Sequence, residues 1–311
     1  MSETDLIEQI VAEVRRSKKY RGVCEETVRR IAAELWAKHG EQSSKLGGAG
    51  QGKRALKAAV KATRARLHQV YAAYESPVDY ERAAHDLEAA YARGEDEPVR
   101  EACRRLLALH TSTRERLPIL ERIYAALWAQ MGVPRVLLDL ACGLNPLSVP
   151  WMGLGEGAVY HGYDIDAERV AFLNCVLPWT GIDARMHLQD VLCAPPTEQG
   201  DVALLFKSSA CLERQCAGAT LELLDALRVR QVVVSFPVQS LGQREKGMAA
   251  FYERTFRAQI AGRAWPVTRL MFESELVFVV DKGDGSYTEA HGGCTEGHGG
   301  GKGEGKRGCR E

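Results

Sequence analysis

Apolar side chains recur every three to four residues through the first 130 residues, the spacing that gathers them on one face of an α-helix. A glycine-rich stretch over 43–52 interrupts the pattern, and Ser76 and Pro77 stop it again. This part of the chain is therefore predicted to be all-helical. The predicted helices are Asp5–Lys18, Glu25–His39, Gly52–Tyr74, Asp79–Arg93, Pro98–Leu109 and Arg114–Gln130.

From Arg135 onward, short apolar runs alternate with helical stretches. That alternation predicts a parallel β-sheet covered by helices on both faces. The last two runs lie too close together for a helical crossover and must form an antiparallel hairpin. The predicted fold class is α/β, the Rossmann-like sheet of class I methyltransferases, preceded by an all-helical N-terminal domain. The predicted strands are 135–140, 159–164, 185–189, 201–206, 231–236, 267–273 and 276–281, with helices over 146–153, 166–177, 212–228 and 246–262.

Residues 282–311 carry eleven of the thirty glycines and almost no apolar side chains, so this tail is predicted to be disordered. The His and Cys residues within the tail have no spacing typical of a zinc site, and no metal is expected. Three regions are therefore predicted: a helical domain over 1–130, a cofactor-binding domain over 131–281 and the tail over 282–311.

The overall charge does not favour any class of partner, because 41 Lys and Arg balance 41 Asp and Glu. There is no apolar run long enough to span a membrane, and the acidic N-terminus lacks the apolar core of a signal peptide. The nine cysteines follow no regular spacing, as expected of reduced thiols. We therefore predict a cytoplasmic protein with no membrane association.

The segments Val136–Gly143 and Val159–Asp166 indicate a nucleotide site. Gly143 follows the first strand, where the backbone approaches a ligand closely, and Asp164 ends the second, where a carboxylate accepts the hydroxyls of a ribose. A dinucleotide-binding turn uses several glycines to bring a helix onto the pyrophosphate, whereas Ala141–Pro146 has a single one. A cofactor with a ribose but no phosphate, S-adenosylmethionine, fits this turn better.

Two later strand ends add candidate residues. Asp190 follows the third strand, where a carboxylate accepts the amino group of adenine and the next amide, at Val191, meets a ring nitrogen; a plain turn is the alternative. Lys207 ends the fourth strand, and Glu213 in the following helix is the carboxylate expected to pair with it. A structural ion pair explains these two residues as well as a catalytic one does.

Two further segments border the same rim. After the fifth strand, Arg244 is a candidate phosphate clamp and Met248 a candidate contact for a base, although packing at a helix start also explains Met248. Before the first strand, His110–Pro118 contains a capping box over Thr111–Glu115, which predicts a helix start. The arginines of this segment, Arg116 among them, are candidates to reach the carboxylate of an amino-acid moiety.

A stretch without acidic residues lies between Glu41 and Glu75. On a helix, most of its basic residues share one face while apolar residues form the other. Like charges four residues apart repel each other, so an unbroken positive face favours an anionic partner. RNA or DNA phosphate is favoured over a merely solvated face, and a membrane surface fits less well because the apolar side lacks Trp and Phe. The candidate RNA contacts are Lys53, Arg54, Lys57, Lys61 and Arg64.

Together these segments resemble the aminoglycoside-resistance methyltransferases that modify N7 of a guanine in the decoding site of 16S ribosomal RNA, nearest the self-protection enzymes of antibiotic-producing actinomycetes. The resemblance covers about residues 5–281 and is carried by Leu138–Pro146, His110–Leu117, Tyr163–Asp166, Gln189–Leu192, Leu205–Lys207 with Glu213, and Ser235–Pro237. It implies a helical extension that docks on the 30S subunit and a domain that binds S-adenosylmethionine. The implied cofactor contacts are Arg116, Ala141, Gly143, Asp164, Ile165, Asp190 and Val191, the implied active-site residues are Lys207, Glu213 and Met248, and Arg244 joins the basic helix face on the RNA.

Three alternatives stay open: methylation of adenine N1 in the same rRNA helix, a non-catalytic ribosome-binding factor that kept the fold, and a small-molecule methyltransferase, which the basic helix disfavours. No Asn-Pro-Pro-Tyr-like motif follows the fourth strand, where amino-group methyltransferases need one. That fits guanine N7, whose free lone pair needs no general base. The glycine-rich tail matches nothing in the family pattern.

Overall fold

The computed structural model describes residues 2–44, 49–72, 78–238 and 245–283. Within these ranges seven α-helices precede the first strand, and a π-helical segment, His68–Ala72, extends the third of them. The all-helical start is therefore confirmed over the described residues, and the predicted disordered tail lies outside them beyond residue 283. The helices are α1 (Glu3–Arg15), α2 (Glu25–Ser44), α3 (Ala49–Leu67), α4 (Tyr80–Tyr91), α5 (Asp96–Leu107), α6 (Thr111–Arg116) and α7 (Leu120–Met131).

Seven strands form a sheet in the order β3-β2-β1-β4-β5-β7-β6. The strands β1 to β5 run parallel, and β7 pairs antiparallel with both β5 and β6. The predicted methyltransferase sheet with a terminal hairpin is therefore confirmed. The strands are β1 (Val136–Leu140), β2 (Val159–Asp164), β3 (Asp183–Leu188), β4 (Gln199–Phe206), β5 (Arg228–Pro237), β6 (Val267–Met271) and β7 (Glu275–Asp281), and the later helices are α8 (Val149–Met152), α9 (Ala167–Val176), α10 (Ser209–Gln215), α11 (Ala219–Ala226) and α12 (Glu245–Gln259).

Two segments predicted as single helices are divided in the structure. The 114–130 segment becomes α6, a 3-10 turn at Leu117–Ile119 and α7, because Pro118 lacks the N–H group that a continuous helix requires. The 212–228 segment becomes α10 and α11, which are separated at Gly218, where φ is 86°. Between β3 and β4 the chain crosses over 189–198 without a helix, so the turn after β3 has less support than a standard crossover provides.

The helices before the sheet belong to two hydrophobic cores. Helices α4, α5 and α7 pack on the sheet, whereas α1, α2 and α3 share a core of their own, which includes Ile10, Ile31 and Leu67. We call these three helices, with the π-helical segment, the α1–α3 unit. Backbone hydrogen bonds join this unit to the tip of β2: the N–H of Cys24 donates to the carbonyl of Ile165 at 2.7 Å. The α1–α3 unit is therefore fixed beside the carboxyl edge of the sheet.

Candidate active site

A cavity of about 340 Å³ lies at the carboxyl ends of β1 to β4, the edge at which open α/β sheets bind ligands. The α6 segment closes one side, and residues of α2 and the π-helical segment close another. Residues from four strand ends thus surround one space. The predicted site residues that line it are Arg116, Ala141, Gly143, Asp164, Ile165, Asp190, Val191 and Lys207.

The turn after β1 leaves little room for side chains. Ala141 has a φ of 49° and Gly143 a φ of 56°, both in the left-handed region that glycine adopts most easily. A Cβ atom on Gly143 would lie 3.3 Å from the His110 ring. Burial lowers the pKa of His110 to about 4, so the imidazole that faces this turn is neutral. The backbone here is therefore shaped for close approach and needs glycine at 143.

The carboxylate of Asp164, at the end of β2, is buried and has three protein donors. Its Oδ2 accepts from the N–H of Gly143 at 2.9 Å, and its Oδ1 accepts from the N–H of Asp166 at 2.9 Å and from Arg169 at 3.0 Å. A carboxylate has roughly four acceptor positions. Three protein donors therefore fix its orientation and leave capacity for a ribose hydroxyl.

The carboxylate of Asp190 follows β3 and is held from two directions. Its Oδ1 accepts from the N–H of Leu192 at 2.9 Å, as the alternative of a plain turn predicts. Its Oδ2 accepts from Nη2 of Arg30, on α2, at 2.8 Å. Arg30 was not a sequence candidate, because the two residues are 160 positions apart and no local pattern connects them.

Lys207 follows β4 with a φ of 57°, and its buried ammonium group has two carboxylate partners. Nζ lies 2.9 Å from Oε2 of Glu115 and 3.3 Å from Oε1 of Glu275. The prediction that Glu213 pairs with Lys207 is therefore wrong. Glu213 instead accepts from two N–H groups at the start of α11, at 3.0 and 2.8 Å, and does not line the cavity. Its predicted role beside the reacting atoms has no support in this geometry.

The capping box predicted over Thr111–Glu115 is also wrong. Helix α6 does begin at Thr111, but no side chain in the described ranges caps it, and Glu115 binds Lys207 instead of the helix start. The hydroxyl of Thr113 donates to the carbonyl of Leu107 at 2.5 Å. The segment therefore contributes an acid to the cavity wall rather than a helix cap.

Arg116 is almost fully buried in the cavity wall. Its Nε lies 2.8 Å from Oε1 of Glu275, its Nη1 donates to Asn145 at 2.9 Å, and its guanidinium carbon lies 4.1 Å from the centroid of the Phe206 ring. Two cations, Arg116 and Lys207, thus share the buried carboxylate of Glu275. Sequence reasoning missed Glu275. The signal that could have found it is a charged residue directly before the apolar run of the last strand.

Asp139, within β1, lines the cavity and is completely buried. Its Oδ2 accepts from Asn145 at 2.8 Å and from the hydroxyl of Tyr160, whereas its Oδ1 has no hydrogen-bond partner among the described residues. Burial raises the pKa of Asp139 to about 6. Because buried polar atoms are rarely left without partners, this oxygen favours a ligand that brings a donor. Asp139 was not a sequence candidate, because its position inside a buried strand gave no sign that its side chain faces a cavity.

The basic face of α3 points largely into solvent. Among the described residues, no ion pair involves its three lysines. Arg64 differs, because its Nη2 donates to the carbonyl of Glu13 at 2.6 Å and fastens α3 to α1. The helix continues into the π-helical segment, whose Val70 and Tyr71 line the cavity. The exposed cations are Lys53, Arg54, Lys57 and Lys61.

Met248 lies in the first turn of α12, half-buried and outside the cavity lining. One turn later, Tyr252 does line the cavity and stacks on Phe236, with ring centroids 4.9 Å apart. Arg244 lies outside the described residues. The roles predicted for Met248 and Arg244 therefore stay predictions, and Tyr252 is a further aromatic candidate on the same rim.

One group of potential metal ligands occurs within the described ranges: His161, His187 and Glu198, whose ligand atoms all lie within 4.8 Å of one another. Nδ1 of His161 is 3.1 Å from Nε2 of His187, and the hydroxyl of Tyr163 donates to Glu198 at 2.6 Å. Burial lowers the pKa of both imidazoles. Neutral rings, one donating to the other, satisfy this group without an ion, and the expectation of no metal stays a prediction.

A parallel sheet of this order with an antiparallel final strand, a single-glycine turn and a carboxylate at the tip of β2 defines a class I, S-adenosylmethionine-dependent methyltransferase. The family model for ribosomal RNA methyltransferase (FmrO) matches residues 16–279, and the chain belongs to this family. No helix in the described part of the chain is long and apolar enough to cross a membrane.

Several similar proteins are 16S rRNA methyltransferases. A 16S rRNA (guanine(1405)-N(7))-methyltransferase of Micromonospora echinospora is 39% identical over 281 residues, which cover 89% of this chain and 97% of that protein. One of Serratia marcescens is 36% identical and covers 91% and 99%. The structure of the 16S rRNA methyltransferase RmtF in complex with S-adenosyl-L-homocysteine gives a TM-score of 0.70 at 33% identity, covering 90% of this chain and 99% of that one. The resemblance noted from the sequence is therefore confirmed.

Proposed function

We propose that this protein transfers the methyl group of S-adenosylmethionine to N7 of a guanine in the decoding site of 16S rRNA, within the 30S subunit, and thereby confers aminoglycoside resistance. The observation that carries the proposal is the cavity itself. Asp164, a carboxylate placed to bind a ribose, lines it, and so does the end of the helix that bears the exposed basic face. The action of its relatives on this base supports the choice of target. Because the substrate is the ribosomal subunit, we place the reaction in the cytoplasm.

The cavity residues fit S-adenosylmethionine. Asp164 offers an acceptor to the ribose, and Asp190 with the Val191 amide suits the edge of adenine. The Oδ1 of Asp139, which has no partner among the described residues, is an acceptor for the ammonium group of the methionine moiety. Arg116 remains the candidate for its carboxylate, although Glu275 already neutralises part of the positive charge. When bound, the cofactor supplies the methyl group as a sulfonium electrophile.

Guanine N7 has a free lone pair at neutral pH, so the protein needs no general base and its main task is to orient the base. Methyl transfer leaves a positive charge on the purine, and a carboxylate near it stabilises that charge. Glu115 lines the cavity and its side chain is 34% exposed, so it is the carboxylate that we assign to this role. Lys207 holds Glu115 in place through their 2.9 Å contact.

The exposed face of α3 serves as the docking surface for RNA. Lys53 and Lys61 are about 12 Å apart along the helix at 1.5 Å per residue, enough to follow a phosphate backbone toward the cavity. The target base must leave its helix, at a cost of roughly a few kcal/mol, and backbone contacts offset that cost. An assembled 30S subunit presents several rRNA segments together, which favours it over free rRNA as the substrate.

The proposal is tested by methyl transfer from labelled S-adenosylmethionine to purified 30S subunits, followed by borohydride and aniline cleavage and reverse transcription. We expect a single stop at the decoding-site guanine. Incorporation without cleavage would instead support adenine N1. The resistance profile is a second discriminator, because N7 methylation should block gentamicin and kanamycin and spare apramycin, whereas adenine N1 methylation should include apramycin.

Asp190→Ala separates an enzyme from a ribosome-binding factor. Because Asp190 is predicted to hold adenine, we expect the variant to lose measurable resistance in cells while it still binds 30S subunits. Asp183→Ala is the control, since that carboxylate is exposed and pairs only with Arg185 among the described residues. Full resistance with Asp190→Ala would support the non-catalytic alternative.

Asp139 gives cofactor binding a characteristic pH dependence. Its pKa is raised to about 6, and only the ionised carboxylate attracts an ammonium group. The affinity for S-adenosylhomocysteine should therefore fall about tenfold for each pH unit below about 6. Calorimetric titrations across this range measure the profile. Asp139→Asn should flatten it and Asp183→Asn should not; a flat profile for the unmodified protein would remove Asp139 from the cofactor site.

A further inference from the structure

Arg30 reaches from α2 into the cavity, across the boundary between the α1–α3 unit and the sheet. Its Nε and Nη2 lie 3.1 and 2.8 Å from Oδ2 of Asp190, and Nη2 also donates to Gln215, on α10, at 2.8 Å. The side chains of Arg30 and Asp190 are 22% and 5% exposed, so water has little access to the pair. Charge-assisted bonds in such surroundings are among the stronger hydrogen bonds in proteins.

We propose that Arg30 is a positioning residue that holds the carboxylate of Asp190 in the orientation that recognises the adenine amino group, so that the α1–α3 unit completes the cofactor pocket. The inference rests on the proposed function, because it takes Asp190 as the adenine-binding carboxylate. Arg30 acts through Asp190 and not on the reacting atoms.

Asp190 needs support from outside its own segment. β3 is the edge strand of the sheet, and the crossover over 189–198 contains no helix. Within the turn, Oδ1 is fixed by the N–H of Leu192. The terminal torsion of an aspartate has a broad energy minimum, so one bond leaves the carboxylate plane poorly defined. The bond from Arg30 to Oδ2 supplies the second constraint.

The α1–α3 unit is itself fixed against the tips of the neighbouring strands. The hydroxyl of Tyr71 donates to Asp166 after β2 at 2.5 Å, and Arg66 donates to the carbonyl of Arg214 in α10 at 2.6 Å. Arg30 therefore has a defined position relative to both the ribose and adenine ends of the cavity.

Isothermal titration calorimetry with S-adenosylhomocysteine and with S-inosylhomocysteine tests the proposal. The second ligand has a carbonyl oxygen in place of the adenine amino group, which is the group proposed to donate a hydrogen bond to Asp190. For Arg30→Ala we expect affinity for S-adenosylhomocysteine to fall about tenfold or more, together with a smaller preference over S-inosylhomocysteine. Arg30→Lys, which keeps the charge, should restore part of both. Arg29→Ala is the matched control, because Arg29 neighbours Arg30 on α2 but pairs with Glu8 and Glu25 outside the cavity.

Unchanged affinity and preference in Arg30→Ala would overturn the proposal. An equal loss for both ligands would also overturn it, since a merely structural role lowers both affinities without changing their ratio. Asp190→Asn distinguishes two kinds of failure. If that variant loses the preference while Arg30→Ala retains it, only the role of Arg30 fails. If Asp190→Asn retains the preference, the placement of adenine in the proposed function fails, and the inference fails with it.

Discussion

Glu275→Gln is expected to lower the free energy of unfolding by about 3–5 kcal/mol, the usual effect of removing one partner from a buried ion pair. Glu275 is fully buried, with Arg116 at 2.8 Å and Lys207 at 3.3 Å. Glutamine keeps the shape but removes the charge that both cations share. Lys207 then retains Glu115, whereas Arg116 retains no carboxylate among its described contacts. Because both cations line the cavity, methyl transfer to 30S subunits should also fall sharply.

Urea unfolding followed by tryptophan fluorescence measures this change, and Glu273→Gln is the matched control. The carboxylate of Glu273 lies two residues earlier in the chain and pairs with Arg122 at 2.8 Å on the surface, where the two side chains are 61% and 58% exposed. Exposed pairs of this kind contribute less than about 1 kcal/mol. Equal stabilities of the two variants would show that Glu275 does not hold the two cations together.

The strand ends were predictable because they depend on local spacing. Gly143, Asp164 and Asp190 each follow a short apolar run, and parallel strands bring their carboxyl ends to one edge. These features need no knowledge of distant contacts, so the positions of these three residues around one cavity followed from the sequence.

The ion pairs were not predictable in the same way. Glu213 was chosen for Lys207 because it is close in sequence, but the break at Gly218 starts a new helix, whose free N–H groups take that carboxylate. The actual partners, Glu115 and Glu275, come from helix α6, before the sheet, and from the antiparallel strand β7. Local periodicity contains no information about such long-range contacts, because they depend on how the helices and the terminal hairpin pack together. The partner of Asp190 was missed for the same reason.

Replacing Lys53, Lys57 and Lys61 together by Ala is expected to weaken binding to 30S subunits by about tenfold to a hundredfold near physiological salt. The three lysines are exposed and form no ion pair among the described residues, and Ala favours helix formation, so α3 should persist. Each lost phosphate contact reduces the slope of log affinity against log salt by about 0.7–0.9, so the slope should fall by about 2 to 3. The affinity of the free protein for S-adenosylhomocysteine should stay unchanged.

A control variant separates docking from net charge. Arg135, Arg228 and Arg230 lie exposed at the amino ends of β1 and β5, opposite the cavity, and changing all three to Ala removes the same charge. Filter binding at several salt concentrations compares the two variants. Equal losses would mean that RNA responds to the overall field of the protein rather than to α3. If the lysine variant also lost affinity for S-adenosylhomocysteine, the exposed face of α3 would not be a docking surface separate from the cofactor pocket.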